Sequence, residues 1–144
     1  MSISGSTLTM IPLSTQVGTN SVTVSISDGY STVSYVFNVI VINSPPTFAT
    51  TPATQSVSIG TSFPYTLPAI TDPENDIVTV SLVAPLISFV SIAGTVITIA
   101  PPIITASGTS LVSGQLFDGV NTVLFSFNVV IANLPPSFVT VPIA

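Results

Sequence analysis

Carboxylates limit the chemistry that this sequence can perform. The chain has 144 residues, with five Asp and Glu residues and no Lys, Arg, His or Cys. Four of the five acids are Asp72, Glu74, Asp76 and Asp118. Oxygen ligands of this kind suit Ca²⁺, which takes about six to eight of them, whereas a pair of carboxylates across a cleft can hydrolyse glycosides. Calcium binding and glycoside hydrolysis are therefore the two chemistries to weigh.

The hydrolase alternative lacks the groups that a catalytic centre needs. Asp72, Glu74 and Asp76 share one short stretch, so they do not establish a pair on opposite sides of a cleft. No basic side chain or thiol is present to assist them, and none of the serines has a histidine base. The sequence therefore predicts a protein without enzymatic activity.

The sequence repeats itself after 90 positions, which decides how the chain is organised. The matching segments are Gly18-Thr19 and Gly108-Thr109, Asp28-Gly29 and Asp118-Gly119, Phe37-Asn38-Val39 and Phe127-Asn128-Val129, Asn43 and Asn133, and Pro45-Pro46 and Pro135-Pro136. Further upstream, Gly5 and Pro12 match Gly94 and Pro101 with the offset one position shorter. A loop tolerates such a change of one residue.

The two prolines after Asn43 mark the boundary between repeats, because consecutive prolines stiffen an extended linker. We predict that residues 1–43 are the C-terminal half of a preceding β-sandwich repeat and that residues 44–133 are a complete repeat. Residues 134–144 would then supply the first strand of a following repeat. We interpret the chain as part of a longer array of such repeats.

Alternation of apolar and polar residues predicts strands throughout the complete repeat. Gly after Asp at 28–29 and at 118–119 predicts a tight hairpin turn in each copy. We expect an all-β fold of tandem immunoglobulin-type antiparallel sandwiches, with about seven strands in the complete repeat. The side chains predicted to point into its core are Phe63, Tyr65, Val78, Val80, Ile97, Ile99 and Phe127.

The run Thr71-Asp72-Pro73-Glu74-Asn75-Asp76 and the strand after it resemble the Asp-Pro-(Asp/Glu)-x-Asp loop of cadherin-like repeats, in particular the dystroglycan type. Asp118-Gly119 and the segment Phe127 to Pro136 resemble the closing hairpin and exit linker of those repeats. The resemblance covers the complete repeat and implies calcium bound between repeats. The sequence departs from it at Ala100-Pro101-Pro102 and in having no basic residue.

In a sandwich of this type, the loop between the second and third strands lies at the same end as the last hairpin and the incoming linker. We therefore expect Asp72, Glu74, Asp76, Asp118 and Asn43 to converge at the junction between repeats. They are candidate calcium ligands there. The alternative is a solvated polar turn in which the same residues satisfy nearby backbone donors.

The absence of cations excludes nucleic acid as a partner, because binding to phosphates depends on Lys and Arg. Residues 82–106 carry no charge over a length that could cross a bilayer, but Pro85, Gly94, Pro101 and Pro102 interrupt them. Two strands and a turn explain this stretch better than a membrane span. With no signal peptide visible in Met1–Leu13, any secretion signal would lie outside this segment.

Ser and Thr occupy the outward strand positions where charged residues are usual, which predicts either O-linked glycan or packing of these surfaces inside a fibre. The last strand of each copy is apolar on both faces, which predicts contact with other copies or adjacent repeats. The leading hypothesis is a structural or adhesive component of an extracellular or cell-surface filament. The alternative is an adhesin module that binds a glycan or a partner protein through its loops. An exposed cluster of Phe63, Tyr65 and Phe89 would support this alternative.

Overall fold

The computed structural model describes residues 1–135. These residues form thirteen strands and one short 3-10 helix, Ser14–Gln16. The strands are β1 (Ser2–Ser4), β2 (Thr7–Thr9), β3 (Gly18–Ser27), β4 (Thr32–Val41), β5 (Thr47–Phe48), β6 (Gln55–Ser58), β7 (Phe63–Thr66), β8 (Ile70–Thr71), β9 (Thr79–Leu82), β10 (Val90–Ala93), β11 (Val96–Ile99), β12 (Gly108–Phe117) and β13 (Thr122–Ala132).

Strands β5 to β13 build a sandwich of two facing sheets. One sheet has the order β6-β13-β12-β9, the other has the order β10-β11-β7, and β5 pairs with β8 beside them. The all-β immunoglobulin-like prediction is confirmed. The pairing is antiparallel apart from β6, which runs parallel to β13. Parallel neighbours need a long connection, and nearly the whole sandwich lies between β6 and β13 along the chain.

The core lies between the two sheets, where inward residues alternate with outward ones along each strand. Ile97 and Ile99 on β11 and Leu116 on β12 are fully buried. Six further apolar side chains of the complete sandwich are buried, which are Val57, Leu67, Val112, Phe127, Val129 and Ile131. Val22 is also buried, but it lies on β3 outside this sandwich.

The core predictions for Ile97, Ile99 and Phe127 are confirmed, and Tyr65 and Val80 pack against the buried cluster while partly exposed. The predictions for Phe63 and Val78 are wrong. Phe63 is 38% exposed because it is the first residue of the edge strand β7. Val78 precedes β9 and is half-buried beside the loop of Asp72 and Asp76 rather than in the core.

Residues 1–42 contain two separate hairpins, β1-β2 and β3-β4. By the repeat, β1-β2 corresponds to β10-β11, and β3-β4 corresponds to β12-β13. Among residues 1–135 there is no second set of strands corresponding to β5 to β9. Ile26 is accordingly 76% exposed, whereas its counterpart Leu116 is fully buried.

The apolar stretch at residues 82–106 contains β10 and β11, which turn at Gly94. In residues 1–135 we find no helix with the length and hydropathy that crossing a membrane requires. The predicted first strand of a following repeat, residues 134–144, lies almost wholly outside the described residues.

Candidate functional site

Asp118 organises the turn that joins β12 to β13. Its Oδ1 accepts hydrogen bonds from the backbone N–H groups of Val120, at 2.7 Å, and Asn121, at 2.5 Å. Gly119, between Asp118 and Val120, has a φ of 100°, a conformation that glycine adopts readily. The first copy has the same turn, in which Asp28 Oδ1 accepts from the N–H groups of Tyr30 and Ser31. The repeat therefore preserves a carboxylate-capped hairpin.

The second oxygen of Asp118 reaches the incoming linker. Asn43 Nδ2 donates to Asp118 Oδ2 over 2.9 Å, although the two residues are 75 positions apart. Asn121 Nδ2 also donates to Asp118 Oδ2, at 3.3 Å, and to the backbone oxygen of Asn43, at 3.1 Å. These three residues form a closed set of hydrogen bonds in which one carboxylate accepts two side-chain amides.

Glu74 holds the next residue of the linker. Its Oε2 accepts from the backbone N–H of Ser44 at 3.1 Å, and its Oε1 accepts from the Ser44 hydroxyl at 3.0 Å. We call the five residues Asn43, Ser44, Glu74, Asp118 and Asn121 the linker clamp. Pro46, two residues further on, is fully buried. The linker is thus fixed to the sandwich by charge-assisted hydrogen bonds and by packing.

Asp72 shapes the loop that carries Glu74. Its Oδ1 accepts from the backbone N–H groups of Glu74 and Asp76, both at 3.0 Å. Asn75 between them has a φ of 62°, a left-handed conformation that asparagine tolerates better than most residues. Asp72 Oδ2 is buried without a hydrogen-bond partner among the described residues. Asp72 therefore positions Glu74 for Ser44, and Asp76 contributes its backbone N–H to the same loop.

The structure brings Asn43 to Asp118 and Ser44 to Glu74, while Asp72 and Asp76 lie together in the neighbouring loop. Within residues 1–135, no three acidic side chains gather in a group that could hold a metal ion. Each carboxylate oxygen of Asp118 accepts two donors, so an ion there would have to displace a donor, whereas each oxygen of Glu74 accepts one. The calcium site stays a prediction, and the observed arrangement is one of local hydrogen bonds.

Sequence reasoning missed two members of the clamp, Ser44 and Asn121. Asn121 stands where the first copy has Ser31, so this position differs between otherwise similar turns. The Asn121 amide has two N–H donors, one for Asp118 and one for the linker, whereas a Ser hydroxyl has a single donor. This difference between the two copies was the sign in the sequence that Asn121 has a specific role.

Two opposing effects set the pKa of Asp118. Burial raises the pKa, but the backbone N–H groups of Asn121 and Val120 and the side-chain amides of Asn121 and Asn43 lower it, and the net pKa lies below the ordinary value of 3.8. Donors stabilise the ionised form because it accepts hydrogen bonds more strongly. The backbone N–H groups of Ser31 and Tyr30 lower the pKa of Asp28 in the same way.

We expect Asp118 to make the sandwich sensitive to acid. Because the folded pKa is depressed, its contribution to stability is complete above the ordinary value of 3.8 and is lost as the pH falls through the lower folded pKa. The fall in Tm between about pH 5 and about pH 2 should therefore be smaller in Asp118→Asn than in the wild type. Calorimetric melting across this range measures the difference.

The matched control is Asp28→Asn, which removes the equivalent carboxylate from an exposed turn that no linker among residues 1–135 contacts through a hydrogen bond to Asp28. In that variant the transition of the sandwich should keep its wild-type dependence on pH. An Asp118→Asn variant with unchanged acid sensitivity would contradict the role given to Asp118.

The comparisons with known proteins support the fold. An endo-fucoidan hydrolase of glycoside hydrolase family 107 is similar in structure, with a TM-score of 0.53 and 18% sequence identity over 83% of this chain and 19% of the hydrolase chain. The chain thus spans about a fifth of that hydrolase. At this identity the likeness shows a shared β-sandwich fold and nothing about activity.

Weaker similarities are to immunoglobulin domains 1–5 of Sidekick-1 and to the titin domains Z1Z2 in complex with telethonin. The first has a TM-score of 0.45 and 16% identity over 78% of this chain and 25% of that one. The second has a TM-score of 0.44 and 15% identity over 81% of this chain and 62% of that one. No protein-family model matches the sequence, and no curated protein matches it.

Proposed function

We propose that this chain is a non-enzymatic, structural or adhesive segment of an extracellular filament built from tandem β-sandwich repeats. The observation that carries the proposal is the linker clamp. Asn43 and Ser44, which leave the first copy, are held by Asp118 and Glu74 of the second, and Pro46 is buried next to them. A junction held at three successive points restricts bending, as a load-bearing array of rigid units requires.

Glu74 and Asp118 of the linker clamp, and Asp72 in the neighbouring loop, act as hydrogen-bond acceptors, which supports a role without catalysis. Asp118 accepts four donors, Glu74 accepts two and Asp72 accepts two. A general acid or nucleophile needs a carboxyl group that is free to meet a substrate. The proposed activity is therefore mechanical.

The adhesin alternative has less support. An exposed cluster of Phe63, Tyr65 and Phe89 would support it. Tyr65 instead packs edge-on against Phe127, with 5.1 Å between the ring centroids, and its hydroxyl accepts a hydrogen bond from the N–H of Ala53. Phe89 packs against the buried core. Phe63 alone is exposed, and a single ring does not make a binding platform. The finer likeness to dystroglycan-type repeats, the extracellular location and O-linked glycan on the exposed Ser and Thr residues belong to the same proposal.

Distance measurement across the junction tests the proposal. Because the chain has no cysteine, Thr23→Cys and Ser126→Cys place two unique spin labels on exposed positions of β3 and β13. We expect a narrow distribution of distances by pulsed electron resonance. Replacing Asn43 and Ser44 together with Ala should broaden it, whereas Ser21→Ala, outside the clamp, should not. A wild-type distribution as broad as that of the double variant would refute a rigid junction.

Calcium titration tests the ligand set predicted from the sequence. Extracellular calcium modules bind with dissociation constants of about 0.1 to 1 mM. If the site forms, about 5 mM calcium raises the Tm of the wild type but not that of Asp72→Asn, and magnesium does not substitute. If calcium does not raise the Tm, the junction is held by the hydrogen bonds of the clamp without a metal ion.

A further inference from the structure

The apolar face of residues 1–42 is open around Ile26, where the same face of the second copy is covered, whereas Val22 at the other end of the face is 9% exposed. We call the inward side chains of β1 to β4 the open face; three of them, Ile26, Val33 and Tyr35, are 76%, 72% and 71% exposed. They line a shallow groove with Leu8, Val24 and Phe37, and none of these residues is charged. A continuous apolar groove of this kind marks a site of interaction.

The second copy shows what covers such a face. There, β12 pairs with β9, β13 pairs with β6, and β11 pairs with β7. In the first copy the corresponding strands are β3, β4 and β2, and among residues 1–135 each has only its hairpin partner. The three uncovered strand edges and the open face thus match the surfaces that β6, β7 and β9 cover elsewhere in the molecule.

The repeat also predicts the register of the missing strands. Leu116 lies opposite Val80, so the occupant should place a Val-like residue opposite Ile26. Ile97 lies opposite Tyr65, so an aromatic residue should meet Leu8. Along β4, the occupant should run parallel and end beside Ile42, because β6 ends beside Ala132, the counterpart of Ile42. These are properties of one kind of segment, the first half of a sandwich repeat.

We propose that the open face is a strand-acceptor site for a first half-repeat, a segment with the apolar alternation and strand spacing of residues 44–89. The proposal rests on the proposed function, since such acceptance would join consecutive units of the array. A second copy of this chain is a poor source. Residues 1–144 contain two second halves of a repeat, at 1–43 and 90–133, but only one first half, at 44–89. Exchange of first halves between two such chains therefore always leaves one second half uncovered.

A chain in which a copy of residues 44–89 directly precedes Met1 tests the proposal, because Met1 follows residue 89 in the register of the repeat. We expect amide hydrogen exchange in β3 and β4 to slow by at least about tenfold relative to the original chain. A separately produced polypeptide of residues 44–89, added to the original chain, should slow the same amides and give a one-to-one complex.

Ile26→Asp and Ile40→Asp provide a matched pair of variants. The two side chains are similarly exposed, at 76% and 72%, but Ile26 lies on the open face and Ile40 on the opposite face. Ile26→Asp should abolish the added protection, and Ile40→Asp should retain it. Exchange in β12 and β13 of the same samples reports whether the second copy remains folded.

Unchanged exchange in β3 and β4 of the extended chain, with β12 and β13 still protected, would overturn the proposal. So would a concentration-dependent dimer of the original chain that protects β3 and β4 without any added segment, because a second copy would then be the occupant. The spin-label distances across the clamp do not depend on this outcome, so failure here is distinguishable from failure of the proposed function.

Discussion

Replacing Phe127 with Ala should destabilise the sandwich by about 4 kcal/mol, the usual scale for removing a buried aromatic ring from a core. Phe127 lies on β13, is 4% exposed and meets the edge of Tyr65 at 5.1 Å. Truncation would remove this contact and leave a cavity beside Ile97 and Val129, which neighbouring side chains cannot fill without leaving their own positions. Urea unfolding followed by circular dichroism measures the loss.

The repeat supplies an internal control for this experiment. Phe37 occupies the position equivalent to Phe127 but lies half-exposed on β4. Phe37→Ala should change the free energy of unfolding of the complete sandwich by less than about 0.5 kcal/mol, since Phe37 is not part of that core. Equal effects of the two substitutions would show that position 127 is not the core position described here.

Placing Val at position 114 should cost about 3 kcal/mol through overpacking. A Cβ added to Gly114 would come within 2.5 Å of the Phe125 ring and 2.9 Å of the backbone oxygen of Ser81. The ring could rotate, but the oxygen belongs to the neighbouring strand β9 and can move only if the sheet opens. Calorimetric melting of Gly114→Val, with Gly114→Ala as an intermediate step, measures the effect.

The first copy supports this prediction, because Val24 stands where the second copy has Gly114. Its cross-strand partner, Tyr35, is 71% exposed and stacks beside Phe37. Val24→Gly should therefore leave the complete sandwich unchanged. Adding Phe125→Ala to Gly114→Val should recover part of the lost stability, with the remainder due to Ser81. Simple additivity of the two substitutions would contradict direct contact between positions 114 and 125.

Local alternation predicted the centre of the fold better than its edges. Ile97, Ile99 and Phe127 follow from a period of two because they lie on strands with neighbours on both sides. Phe63 has the same pattern, but β7 is an edge strand and its exposure depends on tertiary structure that alternation does not contain. Val78 failed for a related reason, since the loop built by Asp72 continues to the residue before β9.

For the candidate site, topology predicted the place but not the chemistry. The expected end of the sandwich does hold Asn43 beside Asp118, because hairpin and linker meet there. Whether the carboxylates accept amides or bind an ion depends on distances of a few ångströms that sequence spacing does not determine. Ser44 and Asn121 were missed because each has an unremarkable role in a turn until the two distant segments meet.

Asn43 and Asp118 of the linker clamp are 75 positions apart in the chain, which determines when during folding their hydrogen bond can form. Asn43 is synthesised well before Asp118. The Oδ2 atom of Asp118, which accepts the hydrogen bond from Asn43, reaches its position only after β12 and β13 have formed their hairpin. Contacts between residues far apart in the chain form slowly, since loop-closure entropy must be overcome first. If the chain belongs to an array as proposed, the angle between successive units would therefore be fixed at a late step of folding, after each sandwich is complete.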